Sequence, residues 1–205
     1  MLYSSAMDAE GFITAGGLSS RMGRDKAWLE IGGRPMIEHV LAALLPVTPS
    51  VAVIANGPEY SRLGLPVFRD TFAGIGPLEA IRTSLANTRA PRVVLVGCDL
   101  PFVTRELFSF LLRFKGGHQA IVPVGEDGRL EPLCAVYYAG ALGHVADLIK
   151  RGERKVSTLF DVVPTRLVAF DELKHLRGSG FFFQNINTPK DYDLACEVKR
   201  QQGMV

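Results

Sequence analysis

The stretch Thr14-Ala-Gly-Gly-Leu-Ser-Ser-Arg-Met-Gly-Arg-Asp-Lys26 gathers glycines, hydroxyls and cations within a few turns of chain. The paired Gly16 and Gly17 let backbone N–H groups come close to a ligand, and such groups cradle phosphate oxygens. Ser19 and Ser20 add hydroxyl donors. Arg21 supplies a planar fork of donors and Lys26 a mobile point charge, so the ordered set suits a polyphosphate better than a merely solvated loop. Two familiar phosphate loops fail on spacing. Five residues separate Gly17 from Gly23, and Arg24-Asp25 precede Lys26; a P-loop requires four, followed by Gly-Lys-Ser/Thr. The Gly-x-Gly-x-x-Gly dinucleotide fingerprint is also absent.

A second signal is Val93-Val-Leu-Val-Gly-Cys-Asp-Leu-Pro101, a β-branched run closed by Asp99 and turned by Pro101. A carboxylate at the C-terminal end of a buried strand lies where open α/β sheets bind ligands, and it can hold a Mg²⁺ that bridges phosphates. Helix capping is the competing role, but Thr104 is better placed for it. Asp70, after Val67-Phe-Arg69, is a candidate second carboxylate on the same rim.

Positioning these groups requires strands that end at one rim, and the chain alternates short apolar runs with amphipathic stretches as βαβ units do. Strands are expected around Phe12-Ile13, at Val51–Ile54, Pro66–Phe68, Arg92–Val96, Ala120–Pro123, Leu133–Tyr138 and Leu167–Phe170, with Glu126–Arg129 turning between the fifth and sixth. Met36, Ile37, Val40, Leu41, Leu44 and Leu45 share one helical face over Pro35–Leu45. Further helices are expected at Gly76–Leu85, after a Thr104 cap, at Gly140–Lys150, at Val156–Phe160 and at Pro189–Arg200. The fold class that follows is α/β: a single three-layer, Rossmann-like domain with a mostly parallel sheet. It would occupy residues 11–200, with 1–10 as a flexible extension. At 205 residues, 47% of them hydrophobic, one core can serve the chain. The net charge of +2 leaves no bulk electrostatic case for nucleic acid, and no apolar run reaches a membrane span. Cys98, Cys134 and Cys196 are scattered and odd in number, which fits buried free thiols in a reducing cytoplasm.

Taken together, these residues resemble the molybdenum cofactor guanylyltransferase family. The first stretch is similar to its Leu-Ala-Gly-Gly-x-Ser-x-Arg-Met-Gly-x-Asp-Lys signature, with Thr14 in place of the leucine. Asp70, Gly76-Pro-Leu78, Cys98-Asp-Leu-Pro101, Glu131-Pro-Leu133 and Asn185-Ile-Asn-Thr-Pro189 follow in the family's order. The resemblance implies a nucleotidyltransferase that uses GTP and Mg²⁺ to convert molybdopterin, carrying the molybdenum cofactor, into its guanine dinucleotide. It places Thr14, Ala15, Gly16, Gly17, Gly23, Lys26, Asn56, Asp70 and Asp99 on the nucleotide, with Asp99 also on the metal. Arg21, Lys26 and Asp99 become the catalytic groups, and Asn185 and Asn187 face the acceptor. Contact with other molybdenum cofactor biosynthesis or acceptor proteins is a further implication; nucleic acid and membrane are not. Where the family continues Gly-Pro-Leu with Ala-Gly, this chain has Glu79-Ala80, an acidic departure expected to shift the loop or repel an anion. The alternatives are a relative with another base or acceptor, of cytidylyltransferase or sugar-phosphate type, and a catalytically silent GTP-binding module that delivers cofactor. Ala15-Gly16-Gly17 favours guanine, since the cytidylyltransferase signature has Ala-Ala-Gly.

Overall fold

The structure, a computed structural model, describes residues 8–16, 25–69 and 76–202. In chain order the elements are β1 (Ala9–Thr14), β2 (Glu30–Ile31), β3 (Arg34–Pro35), α1 (Met36–Leu44), β4 (Val51–Ile54), β5 (Val67–Phe68), α2 (Pro77–Asn87) and β6 (Arg92–Gly97). Then come α3 (Arg105–Leu111), β7 (Ala120–Pro123), β8 (Cys134–Tyr138), α4 (Leu142–Lys150), α5 (Ser157–Val162), β9 (Thr165–Val168), α6 (Phe170–Leu173) and α7 (Pro189–Gln202). Short 3-10 turns at Lys26–Trp28 and Pro58–Leu63 matter to the site.

Seven strands form one sheet in the order β5-β4-β1-β6-β8-β7-β9. The β1–β4, β1–β6, β4–β5 and β7–β9 pairs are parallel, and only β8 runs antiparallel to its neighbours. Alternation along each strand feeds two cores, one per face. Ile13, Val53, Val94, Val96 and Val136 point to the face covered by α1 and α3. Phe12, Ile54, Val93, Leu95 and Tyr137 point to the face covered by α2, α4 and α5. Helices on both sides of a mostly parallel sheet make the expected three-layer, Rossmann-like α/β architecture.

Local chemistry explains most boundaries. Thr104 caps α3 by accepting the Leu107 N–H through its hydroxyl at 3.3 Å. Pro77 opens α2 after Gly76, whose φ of +80° suits glycine alone. The β7–β8 connection turns at Gly128, as the Glu126–Arg129 expectation requires. Two expectations need correction. The strand placed at Leu167–Phe170 lies earlier, at Thr165–Val168. Phe170 instead begins α6, because the Glu172 carboxylate accepts the Ala169 N–H at 3.1 Å and starts a helix there. The first strand also starts at Ala9, so residues 9 and 10 belong to the sheet rather than to an extension. Of the three free thiols, Cys98 and Cys134 are buried, but Cys196 is only partly so.

Candidate active site

Strand order reverses at β1. The chain proceeds outward from β1 to β4 and β5, then returns to lay β6 on the other side of β1. The C-terminal ends of β1 and β6 therefore flank the crevice where such sheets take ligands. Thr14 pairs with Gly97 at that rim, and the Cys98 N–H donates to the Thr14 carbonyl at 2.9 Å. Just beyond stands Asp99.

Lys26 reaches this rim from the 3-10 turn that follows the Gly-rich stretch. Its Nζ lies 2.7 Å from Asp99 Oδ2 and 2.8 Å from Asn187 Oδ1. The two charged side chains are only 15% and 19% exposed, so solvent screens the pair less than a surface salt bridge. The Ile186 N–H donates to the Asp99 carbonyl at 3.0 Å, tying the C-terminal segment to the same strand end. Ile186 is fully buried while Asn185 and Asn187 are exposed, as expected of residues two apart on an extended segment. Asn187 thus faces Lys26, whereas among the described residues Asn185 makes only a long 3.5 Å contact with the Phe183 carbonyl. Asp191 accepts the N–H groups of Asn187 and Thr188 at 3.0 and 2.8 Å, and these bonds hold its carboxyl below the usual range.

Asp25 and Tyr60 hold Lys26 in place, a role that no local pattern in the sequence reveals. One Asp25 oxygen accepts the Ala27 N–H at 3.0 Å and caps the turn carrying Lys26. The other accepts the Tyr60 hydroxyl at 2.5 Å. Burial, then the bond to Asp25, pushes the Tyr60 phenol far up, so it stays a donor. Trp28 packs 5.4 Å from Tyr60, and the Arg62 guanidinium covers the indole at 3.3 Å from its centroid. Gly97 is a third residue whose part in the site no local pattern reveals. A Cβ there would collide with Asp99 Oδ1, so only glycine lets this carboxylate fold back across the strand end.

Among the other expected nucleotide residues, Thr14 and Ala15 sit at the end of β1, and Ala15 donates its N–H to Ile54. Gly16 has a φ of +78°, and a Cβ on it would lie 3.6 Å from the Asn56 nitrogen, so Gly16 and Asn56 are adjacent. Gly17, Ser19, Ser20, Arg21, Gly23 and Asp70 lie outside the described residues. Glu79 corrects its expectation. The side chain is buried at 1% exposure and held by Arg82 at 2.6 and 2.8 Å, so its charge is balanced inside α2 rather than presented to an anion. Glu131, quoted only as part of a motif, carries a carboxyl pushed up to about 7 by burial and by Asp127 and Asp99, with Arg129 opposing.

Among the described residues no group of three His, Cys, Asp or Glu side chains forms a metal cage, and no helix is long and apolar enough to cross a membrane. Asp99 offers one hard oxygen donor beside a cation. That suits a metal whose remaining ligands are phosphate oxygens and water better than one held wholly by protein.

A mostly parallel sheet with a Lys–Asp pair at its switch point is suited to binding a nucleoside triphosphate, and comparison with known proteins gives the class as NTP transferase. Residues 11–166 match the MobA-like NTP transferase domain. The chain is 34% identical over 186 residues to a probable molybdenum cofactor guanylyltransferase of Carboxydothermus hydrogenoformans, covering 91% of this chain and 94% of that one. It is 32% identical to the molybdenum cofactor guanylyltransferase of Yersinia pestis, over 94% of this chain and 97% of the other. Among solved structures, molybdopterin-guanine dinucleotide biosynthesis protein A of Archaeoglobus fulgidus superposes with a TM-score of 0.81 at 25% identity, covering 94% and 99% of the two chains. A Thermus thermophilus cytidylyltransferase shares the fold at a TM-score of 0.68 and 23% identity, covering 95% and 100%. The chain belongs to the molybdenum cofactor guanylyltransferase family.

Proposed function

We propose that the protein transfers GMP from GTP to the terminal phosphate of molybdopterin, releasing pyrophosphate. The observation that carries this reading is the meeting of Lys26, Asp99 and Asn187 at the β1/β6 rim, three residues far apart in sequence held within hydrogen-bond distance. The names of the relatives supply the base and the acceptor. A phosphate monoester needs no general base, because its second pKa of about 6 leaves it largely ionised near neutrality. An oxygen of that phosphate attacks the α-phosphorus of GTP; the bond from the α-phosphorus to the bridging oxygen breaks, and pyrophosphate departs with the electron pair. The obstacle is the approach of one anion to another, so positioning and charge neutralisation do the work.

Lys26 serves both. Paired with Asp99, it is held at the rim by the Asp25–Tyr60 anchor, and a phosphate oxygen can take over its Nζ. Arg21 joins it on the departing pyrophosphate, while Gly16 and Asn56 keep the nucleotide side of the rim free of bulk. Asp99 would hold Mg²⁺, which when bound withdraws charge from the α-phosphate. Calorimetric titration with GTP, CTP, ATP and UTP, each with Mg²⁺, tests the assignment together with pyrophosphate release in the presence of molybdopterin. GTP is expected to bind at least tenfold more tightly than the others. A tenfold preference for CTP would sink the guanine assignment and leave the reaction class standing.

A further inference from the structure

A cavity of about 380 Å³ opens beside the rim, on the side of β6 away from β1. One wall is the β7–β8 connection with Glu126, Asp127 and Glu131; the other is Phe170 and the Phe181–Gln184 segment. Aromatic rings thus line the same space as three carboxyls. Among the described residues the Glu131 side chain meets no hydrogen-bond donor, although it is only partly exposed. A triphosphate would be repelled by such a lining. A flat, neutral ring with a row of N–H donors would suit it: carboxylate oxygens accept the donors, and the phenyl groups cover the ring.

The cavity is also at the right distance. Gln184 lines it, and three residues further along, Asn187 accepts from Lys26. Three residues of chain span at most about 11 Å between Cα atoms, and the Asn187 side chain with its 2.8 Å bond carries the path on to Lys26, so one cofactor-sized molecule can reach from the cavity to the cation. An acceptor with a donor-rich ring at one end and a phosphate at the other has one favourable orientation here. Its phosphate points to Lys26, away from the carboxyls, and its ring enters the cavity.

Resting on the guanylyltransferase reading above, we infer that this cavity seats the pterin ring of the acceptor, with the Glu131 carboxylate accepting from the 2-amino group and the adjacent ring N–H. The guanine of GTP carries the same pair of donors and is the other source of this chemistry. Sheet order favours the pterin, because Gly16 and Asn56 lie towards β4, on the opposite side of Asp99 from the cavity.

Ligand-observed NMR titration distinguishes the two, using pterin, lumazine (which has oxygen in place of the 2-amino group) and Mg²⁺–GTP as probes. Wild type should bind pterin at least tenfold more tightly than lumazine. Glu131→Gln should abolish that preference, because an amide offers one acceptor where the carboxylate offers two, and should leave the Kd for Mg²⁺–GTP within threefold. Phe183→Leu, which keeps apolar bulk but removes the flat ring, should weaken both pteridines. Absence of pterin binding to wild type, or equal binding to wild type and Glu131→Gln, overturns the proposal. A tenfold loss of GTP affinity in Glu131→Gln also overturns it and gives the cavity to guanine. Pyrophosphate release by the wild type with molybdopterin and GTP is measured separately. Its failure alongside intact pterin discrimination would remove the reaction, not the ring site.

Discussion

A methyl group at position 97 would occupy the space of Asp99 Oδ1, and the backbone there has no positive φ that alanine would resist. Gly97→Ala should therefore fold, with stability within about 1 kcal/mol of wild type. It should lose about tenfold in kcat/KM, equivalent to ~1.4 kcal/mol, because the carboxylate is turned out of place. Steady-state pyrophosphate release and a denaturant melt on the same variant separate the two effects; equal activity would mean that the carboxylate's folded-back position does not matter. Asp99→Asn keeps the size and removes the charge that attracts a hard cation. We expect turnover to fall by roughly 10²–10³-fold, the scale of losing a preorganised electrostatic contact, with the fold unchanged by circular dichroism. Near wild-type turnover would show that Asp99 is not the metal-binding group. Glu131 yields a stability test. Burial first, then Asp127 and Asp99, raises its carboxyl to about 7 from a usual 4.5. The folded state thus binds more protons between those values, and the contribution is fully present below pH 4.5 and lost as pH rises through 7. Relative to Glu131→Gln, wild type should lose about 1–2 kcal/mol between pH 4.5 and 8 in urea melts, less than the full shift because the group is partly solvated. Parallel pH profiles for the two proteins would contradict this.

The 3-10 turn at Lys26–Trp28 has too few residues to hold itself, and its position depends on the Asp25–Tyr60 bond and on Trp28 packing between Tyr60 and Arg62. Tyr60→Phe deletes the donor and leaves a partly buried carboxylate short of one partner, at a cost of about 1–3 kcal/mol. Its expected kinetic signature is a KM for GTP raised several-fold, since Lys26 is less firmly aimed. Thermal melts and initial rates on this variant test both halves, and an unchanged KM would reduce Tyr60 to a structural residue. Elements whose signals are local were legible in the sequence: the apolar face of α1, the Thr104 cap of α3 and the turn before β8 all depend on neighbours a few residues apart. Phe170 was misplaced because a strand and the first residue of a helix both present an aromatic after an apolar pair, and the Glu172 cap that decides between them is a weak mark. Glu79 was misjudged because its partner Arg82 is a helix turn away, and sequence alone does not say whether such a pair faces the core or water. Lys26, Asp99 and Asn187 were singled out by motif, but their meeting was not legible; Asp99 and Asn187 lie 73 and 161 residues from Lys26 along the chain. Tyr60 left no trace, because a single tyrosine in a short irregular turn has no periodicity.

Across the whole molecule, one antiparallel strand, β8, sits inside an otherwise parallel sheet and separates the nucleotide rim from the β7–β9 edge. It also places Cys134 opposite Val96, two residues before Cys98 at the rim, with both thiols inside the same core. Burial raises both thiols, with Asp99 adding to the effect at Cys98 and Glu131 at Cys134, so neither is an effective nucleophile in the closed state. Cys196, by contrast, is part-exposed on α7. An alkylating reagent followed by mass spectrometry should therefore modify one site within minutes and the other two only as the molecule opens. When reclosing outpaces alkylation, each slow rate reports the free energy of the opening that exposes its sulfur. Equal rates at Cys98 and Cys134 would mean that rim and sheet open as one unit. Faster modification at Cys98, suppressed by saturating GTP, would mean that the nucleotide rim breathes while the strands beneath it stay paired, and the three cysteines would then act as built-in clocks for two different motions.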